Sequence, residues 1–384
     1  MYEVTNEAVR RRIEWGSVYG IWLEGDSGVL TADEIFRADS EQSSTSLSDD
    51  IELGAVCSAG WRVTTVQSGG YLGSRFRLYL YLADLSRSGQ TTWGDLEGYT
   101  AGVLSKLTVE QVGRLGEILD GELIPMGEYT CVKAPRSGDG RELYLYDALY
   151  FADKPYTPTV TLPALASEVE ADICEQLGVV CATDYTQTRL LADVNSTLLV
   201  TGGGLLLRTP SFNFTISEIP AGTTMRQMLG YIAGVNGQFG YIDRQGRYVR
   251  KWYGDPVLTI DSDHADEPTL SESANRIVGI RCMVGDTTLE IGQQSGGRVL
   301  ELANPYMTEQ LMKSLWSRVR DLSWYTAEVY HRLGDPRIDI GDMVTLETGS
   351  GGYDVPATNI SYSYDGGLAA SISAAGLTEE EQTI

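Results

Sequence analysis

Apolar residues recur every three or four positions in only a few stretches of this chain; elsewhere they alternate with polar ones in short runs cut by glycine. Met225, Leu229, Ile232 and Val235 form one apolar stripe, which predicts a helix. Thr224 with Gln227 three residues on is a capping-box pair, and Asn236-Gly237 supplies a left-handed stop. Strands Gln238–Asp243 and Arg247–Tyr253 follow, joined through the turn Asp243-Arg-Gln-Gly246. A second stripe, Leu165, Val169, Ile173 and Leu177, predicts a helix over Ala164–Leu177 closed by Gly178. A third, Leu311, Leu315, Val319 and Leu322, predicts a helix at about 305–322, with Pro305 suited to its first turn.

The rest reads mainly as strand. Before Tyr156 the pattern gives Val18–Glu24, Gly28–Phe36, Ile51–Val66 with a bend at its central Ala-Gly, Arg75–Leu82, Leu123–Val132 and Arg141–Tyr150. In Arg75–Leu82 the two arginines fall opposite Phe76, Leu78 and Leu80. Thr108–Leu119 could be a short helix by propensity, but its Val-x-x-Val content favours a strand. Thr197–Pro210 reads as a hairpin around Gly202-Gly-Gly204. After Leu258 come Arg276–Val284, Thr287–Ile291, Arg298–Leu302, Trp324–Arg332, Met343–Thr348, Ala357–Tyr364 and Leu368–Ala374, then a loose tail from Thr378.

Pro155 and Pro158 bracket a boundary, so the chain divides into a β-rich block over 1–157, a small α/β unit over 158–256 and a second β-rich block over 257–384. The fold class expected is mainly β with α+β parts. Two flanking β blocks suggest a duplicated barrel, although short strands with frequent turns fit a sandwich equally well.

Composition narrows the function. The 384 residues are 42% hydrophobic and 21% charged, as in globular proteins, and no apolar run approaches the ~20 residues a bilayer span needs. The basic cluster Arg10-Arg-Arg12 has no apolar segment behind it, unlike a signal peptide. A net charge of −24 repels phosphate backbones and argues against tight DNA binding; the sign is compatible with a wall that DNA must slide past, though solubility is the commoner reason for such acidity. Cys57, Cys131, Cys174, Cys181 and Cys282 are scattered without C-x-x-C spacing, which fits reduced thiols.

Candidate chemistry is thin. Only His264 and His331 could serve a relay or a two-histidine metal site, and they would have to meet with partners. Asp261-Ser-Asp-His-Ala-Asp266 lacks the twelve-residue calcium-loop pattern and reads as a solvated acidic loop. Gly202-Gly-Gly204 lacks the Gly-Lys-Ser/Thr of a phosphate loop. Trp252-Tyr253 with Arg247, Arg250 and Lys251 resembles a stacking patch for single-stranded nucleic acid, but reads better as a basic edge strand packing its aromatics on the helix. Asn195 and Asn213 head sequons by spelling alone. No catalytic, cofactor-binding or metal-ligating residue is assigned.

Seven motifs, taken in order, carry a family resemblance: Ile51-Glu-Leu-Gly-Ala-Val-Cys-Ser-Ala; Ile124-Pro-Met-Gly-Glu-Tyr-Thr-Cys-Val; Leu145-Tyr-Asp-Ala-Leu-Tyr-Phe-Ala-Asp-Lys-Pro-Tyr156; Ile173-Cys-Glu-Gln-Leu-Gly-Val; Met225-Arg-Gln-Met-Leu-Gly-Tyr-Ile-Ala; Asn304-Pro-Tyr-Met-Thr; and Gly334-Asp-Pro-Arg-Ile-Asp-Ile-Gly-Asp-Met-Val. The chain resembles the tail hub proteins of tailed bacteriophages, related to contractile-tail baseplate hubs and to the N-terminal region of siphophage tail-associated lysins. The resemblance implies a homotrimer whose three chains each give two β-barrels, so that six barrels match a sixfold tail. It implies a distal tail or tail tube protein above, a tip, spike or fibre below, tape measure protein in the lumen and genomic DNA passing without specific binding. The setting implied is a virion tail tip assembled in the host cytoplasm; the greater resemblance to the lysin region than to the larger contractile hub favours a long non-contractile tail and leaves a contractile one open. Lysins carry a peptidase or glycosidase after this region; here the chain ends just past the second β block, so cell-wall cleavage is expected of another polypeptide. The alternatives are a cell-wall hydrolase acting through an acidic pair and a carbohydrate-binding module using exposed Trp and Tyr.

Overall fold

The computed structural model describes residues 1–15, 17–26, 28–46, 50–67, 69–87, 89–97, 99–183, 199–201, 204–206, 215–261, 264–266 and 268–376. The sequon readings at Asn195 and Asn213, the turn at Gly202 and Gly203, and the tail from Thr378 lie outside the described residues; Leu199–Thr201 does pair antiparallel with Gly204–Leu206.

The chain opens with a helix that its apolar pattern does not announce: α1, Glu7–Trp15. Asn6 Oδ1 accepts from the N–H groups of Ala8 and Val9 at 2.9 and 3.3 Å, and Val9 and Ile13 form the buried face. Strands β1 Tyr19–Gly25 and β2 Gly28–Thr31 pair as a hairpin, followed by β3 Ile35–Ser43, β4 Gly60–Thr65 and β5 Arg75–Leu82. In β5 the arginines are exposed and Phe76, Leu78 and Leu80 buried, as the alternation requires. The expected strand over Ile51–Val66 is strand only from Gly60. Residues 51–59 run irregularly, because they serve as a docking loop whose Val56 bridges to Gly240. Strands β6 Ile124–Lys133 and β7 Gly140–Tyr146 complete the first block.

Thr108–Leu119 is not a strand. Val109–Arg114 is a helix, capped by Thr108 Oγ1 accepting from Gln111 N–H at 3.2 Å and Gln111 Oε1 accepting from Thr108 N–H at 2.9 Å. It belongs to a group of short helical turns over residues 85–121 that bury Leu115 and Ile118 against Trp22, Val29 and Tyr81. Gln111 Nε2 donates to the carbonyl of Val29 at 2.8 Å, so the group covers the edge strand β2 that would otherwise template pairing with another chain.

The middle unit contains α2 Ala166–Leu177, ended by Gly178 at φ +72°, then β8 Val180–Cys181, α3 Met225–Val235, β9 Phe239–Ile242 and β10 Arg247–Lys251. The Thr224–Gln227 capping box forms as expected. β10 is central rather than an edge strand, since β8 joins it in parallel on one side and β9 antiparallel on the other.

The last block runs β11 Pro256–Ile260, β12 Thr269–Leu270, β13 Asn275–Val284, β14 Thr287–Gly292, β15 Arg298–Ala303, α4 Glu309–Val319, β16 Ala327–His331, β17 Met343–Thr348, β18 Gly351–Pro356, β19 Asn359–Tyr364 and β20 Leu368–Ala374. The helix expected over 305–322 is shorter. Thr308 caps it, and Pro305 lies in the preceding turn, where Asn304 Oδ1 accepts from Tyr306 N–H at 3.0 Å.

The largest sheet has twelve strands in the order β12-β16-β20-β19-β3-β4-β7-β6-β5-β1-β2, with Arg136–Ser137 paired to β7. At its middle β3 pairs antiparallel with β19, Asn359 opposite Ser43 and Ser363 opposite Asp39. One sheet therefore joins the two ends of the chain, and one apolar cluster runs beneath it from Val4 to Ala374. The molecule is mainly β, with its longer helices in the middle unit and the last block.

Candidate assembly interface

The two histidines do meet: their rings lie 6.4 Å apart at 28°. His264 Nδ1 pairs with Asp261 Oδ1 at 2.9 Å. His331 is buried in β16, and among the described residues its Nδ1 has no hydrogen-bond partner. Burial pushes its imidazole below the usual value; Asp335 and Asp261 oppose that, while His264 adds to it. Among the described residues no three His, Cys, Asp or Glu side chains gather to hold a metal. The surrounding bonds are those of a fastener: Ala265 bridges to His331, Arg332 N–H donates to His264 O at 3.0 Å and Asp266 N–H to Tyr330 O at 2.9 Å.

The stacking patch around Trp252-Tyr253 dissolves. Arg250 is buried with Glu170 at 2.7 Å, both side chains 0% exposed, and Tyr253 hydroxyl bonds Ser44 Oγ at 2.7 Å inside the protein. Arg250 and the Tyr253 ring are therefore not open to a nucleobase, and Trp252 is half-buried against Tyr253, the ring centroids 5.1 Å apart.

Several of the motif segments converge on the junctions between the three parts of the chain. In the first, Gly54 touches α3 so closely that a Cβ on Gly230 would lie 2.7 Å from the Gly54 carbonyl oxygen. In the third, Asp147 is buried and accepts from Ser58 Oγ, Ala59 N–H and Leu149 N–H at 2.8, 2.8 and 3.0 Å; burial pushes its carboxyl up to about 6 against those donors. Arg226 of α3 reaches back to Asp153 at 2.6 Å and to the carbonyls of Val56 and Leu149. Asn304 donates to the Tyr231 carbonyl at 2.8 Å.

The last motif forms a buried polar knot. Tyr362 hydroxyl donates to the carbonyls of Asp335 and Ile338, and Arg337 pairs with Asp335 at 2.7 Å and with Glu14 of α1 at 3.1 Å. Arg244, in the turn between β9 and β10, enters this knot. It pairs with Asp339 at 2.5 Å, donates to Ile338 O at 2.8 Å and Pro125 O at 3.3 Å, and lies 5.4 Å over the Tyr2 ring. One side chain of the middle unit thus binds both β blocks. Lys251 adds a 2.6 Å pair with Asp342; burial alone would raise that carboxyl, but Lys251 and the N-terminal amine outweigh it and hold it low. Sequence reasoning took Asp243–Gly246 as a turn and missed Arg244; the available signal was a cation inside a hairpin turn that has no need of one.

Beside the β3–β19 pairing an open groove of about 650 Å³ crosses the exposed face of the sheet, lined by Glu41, Asp266, Glu328, Tyr330, Ser361 and Ser371 among others. Large apolar side chains are also exposed away from it, with Trp15, Trp93 and Val109 each more than four-fifths uncovered on α1 and the 85–121 segment.

No family model and no curated protein matches the chain. Solved structures do. A 43 kDa tail protein of prophage MuSo2 from Shewanella oneidensis aligns over 92% of this chain and 97% of its own, with TM-score 0.51 and 12% identity. A tail protein from Neisseria meningitidis MC58 aligns over 92% and 95%, with TM-score 0.53 and 11% identity. At such identities the likeness is one of fold, and it spans nearly the full length of each chain. This chain therefore shares the fold of these two bacterial tail proteins, one of them from a prophage.

Proposed function

We propose that the chain is a structural tail hub protein of a bacteriophage tail tip or baseplate, or of a prophage-derived particle, and not an enzyme. The observation that carries this reading is a likeness of fold to tail proteins that takes in nine-tenths of the chain rather than one module. In this reading three copies close into a ring in which the two β blocks of each chain alternate, so that a threefold assembly presents six comparable units to a sixfold tube. A distal tail or tail tube protein sits above, a tip, spike or fibre below, and tape measure protein and then DNA occupy the lumen. Assembly takes place in the bacterial cytoplasm and the product resides in the virion.

Two features support it. The junctions joining the three parts are rich in buried, fully engaged cations such as Arg244 and Arg337, which suits a frame that must hold its shape. The net charge of −24, with Glu41, Asp266 and Glu328 on an exposed sheet face, has the sign needed to let DNA pass without adhering.

Light scattering with negative-stain microscopy tests the reading: trimers with a central hole are expected, and a monodisperse monomer at high concentration refutes it. Zymography on peptidoglycan separates the lysin alternative, since clearing by the pure protein would assign the activity to this chain.

A further inference from the structure

The middle unit brings together two thiols that none of the contacts above employs. Cys174 lies near the end of α2 and is buried, while Cys181 ends β8 and is partly exposed. Between them the helix stops at Gly178, and Val179 N–H donates to the Cys174 carbonyl at 2.9 Å. This reversal lays β8 beside β10, Val180 opposite Arg247 and Cys181 opposite Tyr248. The same reversal packs Cys181 against the apolar cluster in which Cys174 is buried and sets the two thiols side by side, while Cys181 Sγ also reaches Thr183 Oγ1 at 3.9 Å. The other three cysteines are differently engaged: Cys57 with Thr45 O at 3.1 Å, Cys131 with Lys133 O at 3.4 Å and Cys282 with Met283 O at 3.8 Å. All five are thiols, with no disulfide among them.

We propose that Cys174 and Cys181 form an oxidation site, closing to an intramolecular disulfide that clasps β8 onto α2 when the protein meets a small-molecule disulfide such as oxidised glutathione. The inference stands on this corner of the fold and is independent of the tail-hub reading. The partly exposed Cys181 thiolate attacks one sulfur of oxidised glutathione; the S–S bond breaks, one glutathione thiolate leaves and a Cys181–glutathione disulfide remains. Cys174, deprotonated in turn, attacks Cys181 Sγ and expels the second glutathione. Two protein thiols are oxidised to one disulfide, one glutathione disulfide is reduced to two thiols, and the two protons pass to the departing thiolates. The hydrogen bond with Cys181, and burial after it, hold the Cys174 thiol well above its usual range, so the second step quickens as pH rises. The clasp has a clear mechanical target: among the described residues β8 meets its sheet at two ladder positions, with Ala182 N–H donating to the Tyr248 carbonyl at 2.9 Å.

The experiment treats the full chain with oxidised glutathione at mildly alkaline pH, then denatures it, alkylates and weighs it. Untreated protein takes five labels, one per cysteine. Oxidised protein is expected to take three, five less the two joined, with a linked peptide containing both Cys174 and Cys181, and to recover five after reduction. Cys174→Ser is expected to stop at the first step, gaining one glutathionyl group on Cys181; Cys181→Ser is expected to keep all four of its labels. Five labels after treatment of the wild type, a bridge to Cys57, Cys131 or Cys282, or a bridge between two chains each overturns the proposal.

Discussion

His331 gives the molecule a pH response that can be isolated. Its imidazole is depressed by burial, so the folded protein favours the neutral form more than the unfolded chain does. The stability this confers is whole above the ordinary value of ~6.5 and drains away as pH falls below it. Asp147 has the opposite sign, its carboxyl being raised to about 6, so the comparison must be with His331→Gln and not with pH alone. Thermal unfolding between pH 7.5 and 5.5, ~1 unit either side of that ordinary value, should show a smaller acid loss in His331→Gln than in the wild type; equal losses would refute the assignment. The buried Glu170–Arg250 pair yields a second expectation. Arg250→Met leaves a carboxylate stranded and should cost about 3–5 kcal/mol in denaturant titration, whereas the double change Glu170→Leu with Arg250→Met should recover most of that. Neither property could be read from the sequence. Periodicity reports which face a residue occupies, not which distant side chain will be opposite it.

Elements were legible where two local signals agreed. Thr224 and Gln227 cap α3, and the apolar stripe that follows them is buried, as their pattern predicts. Thr108 and Gln111 are the same pair of residues at the same spacing, yet the segment behind them has too little stripe to outweigh its valines, and the pattern favours a strand where a helix forms. The apolar residues that hold the segment down, Leu115 and Ile118, lie just past the helix and face Trp22 and Tyr81, which belong to strands some thirty or more positions earlier. α1 escaped notice for a similar reason, with two buried residues in nine and three arginines in a row. The contact between α3 and the loop at Gly54 permits a direct test. Gly230→Ala would drive a methyl into a backbone oxygen that cannot swing aside, so it should destabilise the protein by about 1–3 kcal/mol, the scale of an overpacked core, and lower the melting temperature. Gln111→Ala should leave the β2 edge with one fewer cover; faster amide exchange in β2 and more aggregation on storage are expected.

At the scale of the whole molecule, prolines and composition suggest block boundaries, but the joining of first block to last cannot be read from them. Nothing in Ile35–Ser43 names Asn359–Tyr364 as its neighbour: the latter alternates, whereas the former does not, and the strand expected over Gly28–Phe36 is in fact two, Gly28–Thr31 and Ile35–Ser43. The pairing of β3 with β19 makes the flanking blocks one cooperative body. Calorimetry should show them melting in a single transition, and Ser361→Pro in β19 should lower that transition rather than split it, by ~3 kcal/mol or more from a lost ladder bond and a clashing ring. Two separate transitions in the wild type would contradict the shared sheet. The pairing also has a consequence for birth. Ser363 bonds Asp39 across 324 positions of chain. A ribosome adding ~5–20 residues each second needs roughly a quarter of a minute to a minute to cover that distance. Throughout that interval β3 protrudes from a half-made molecule with its far side bare, and the nascent chain must be shielded, or kept dilute, until its closing strand emerges.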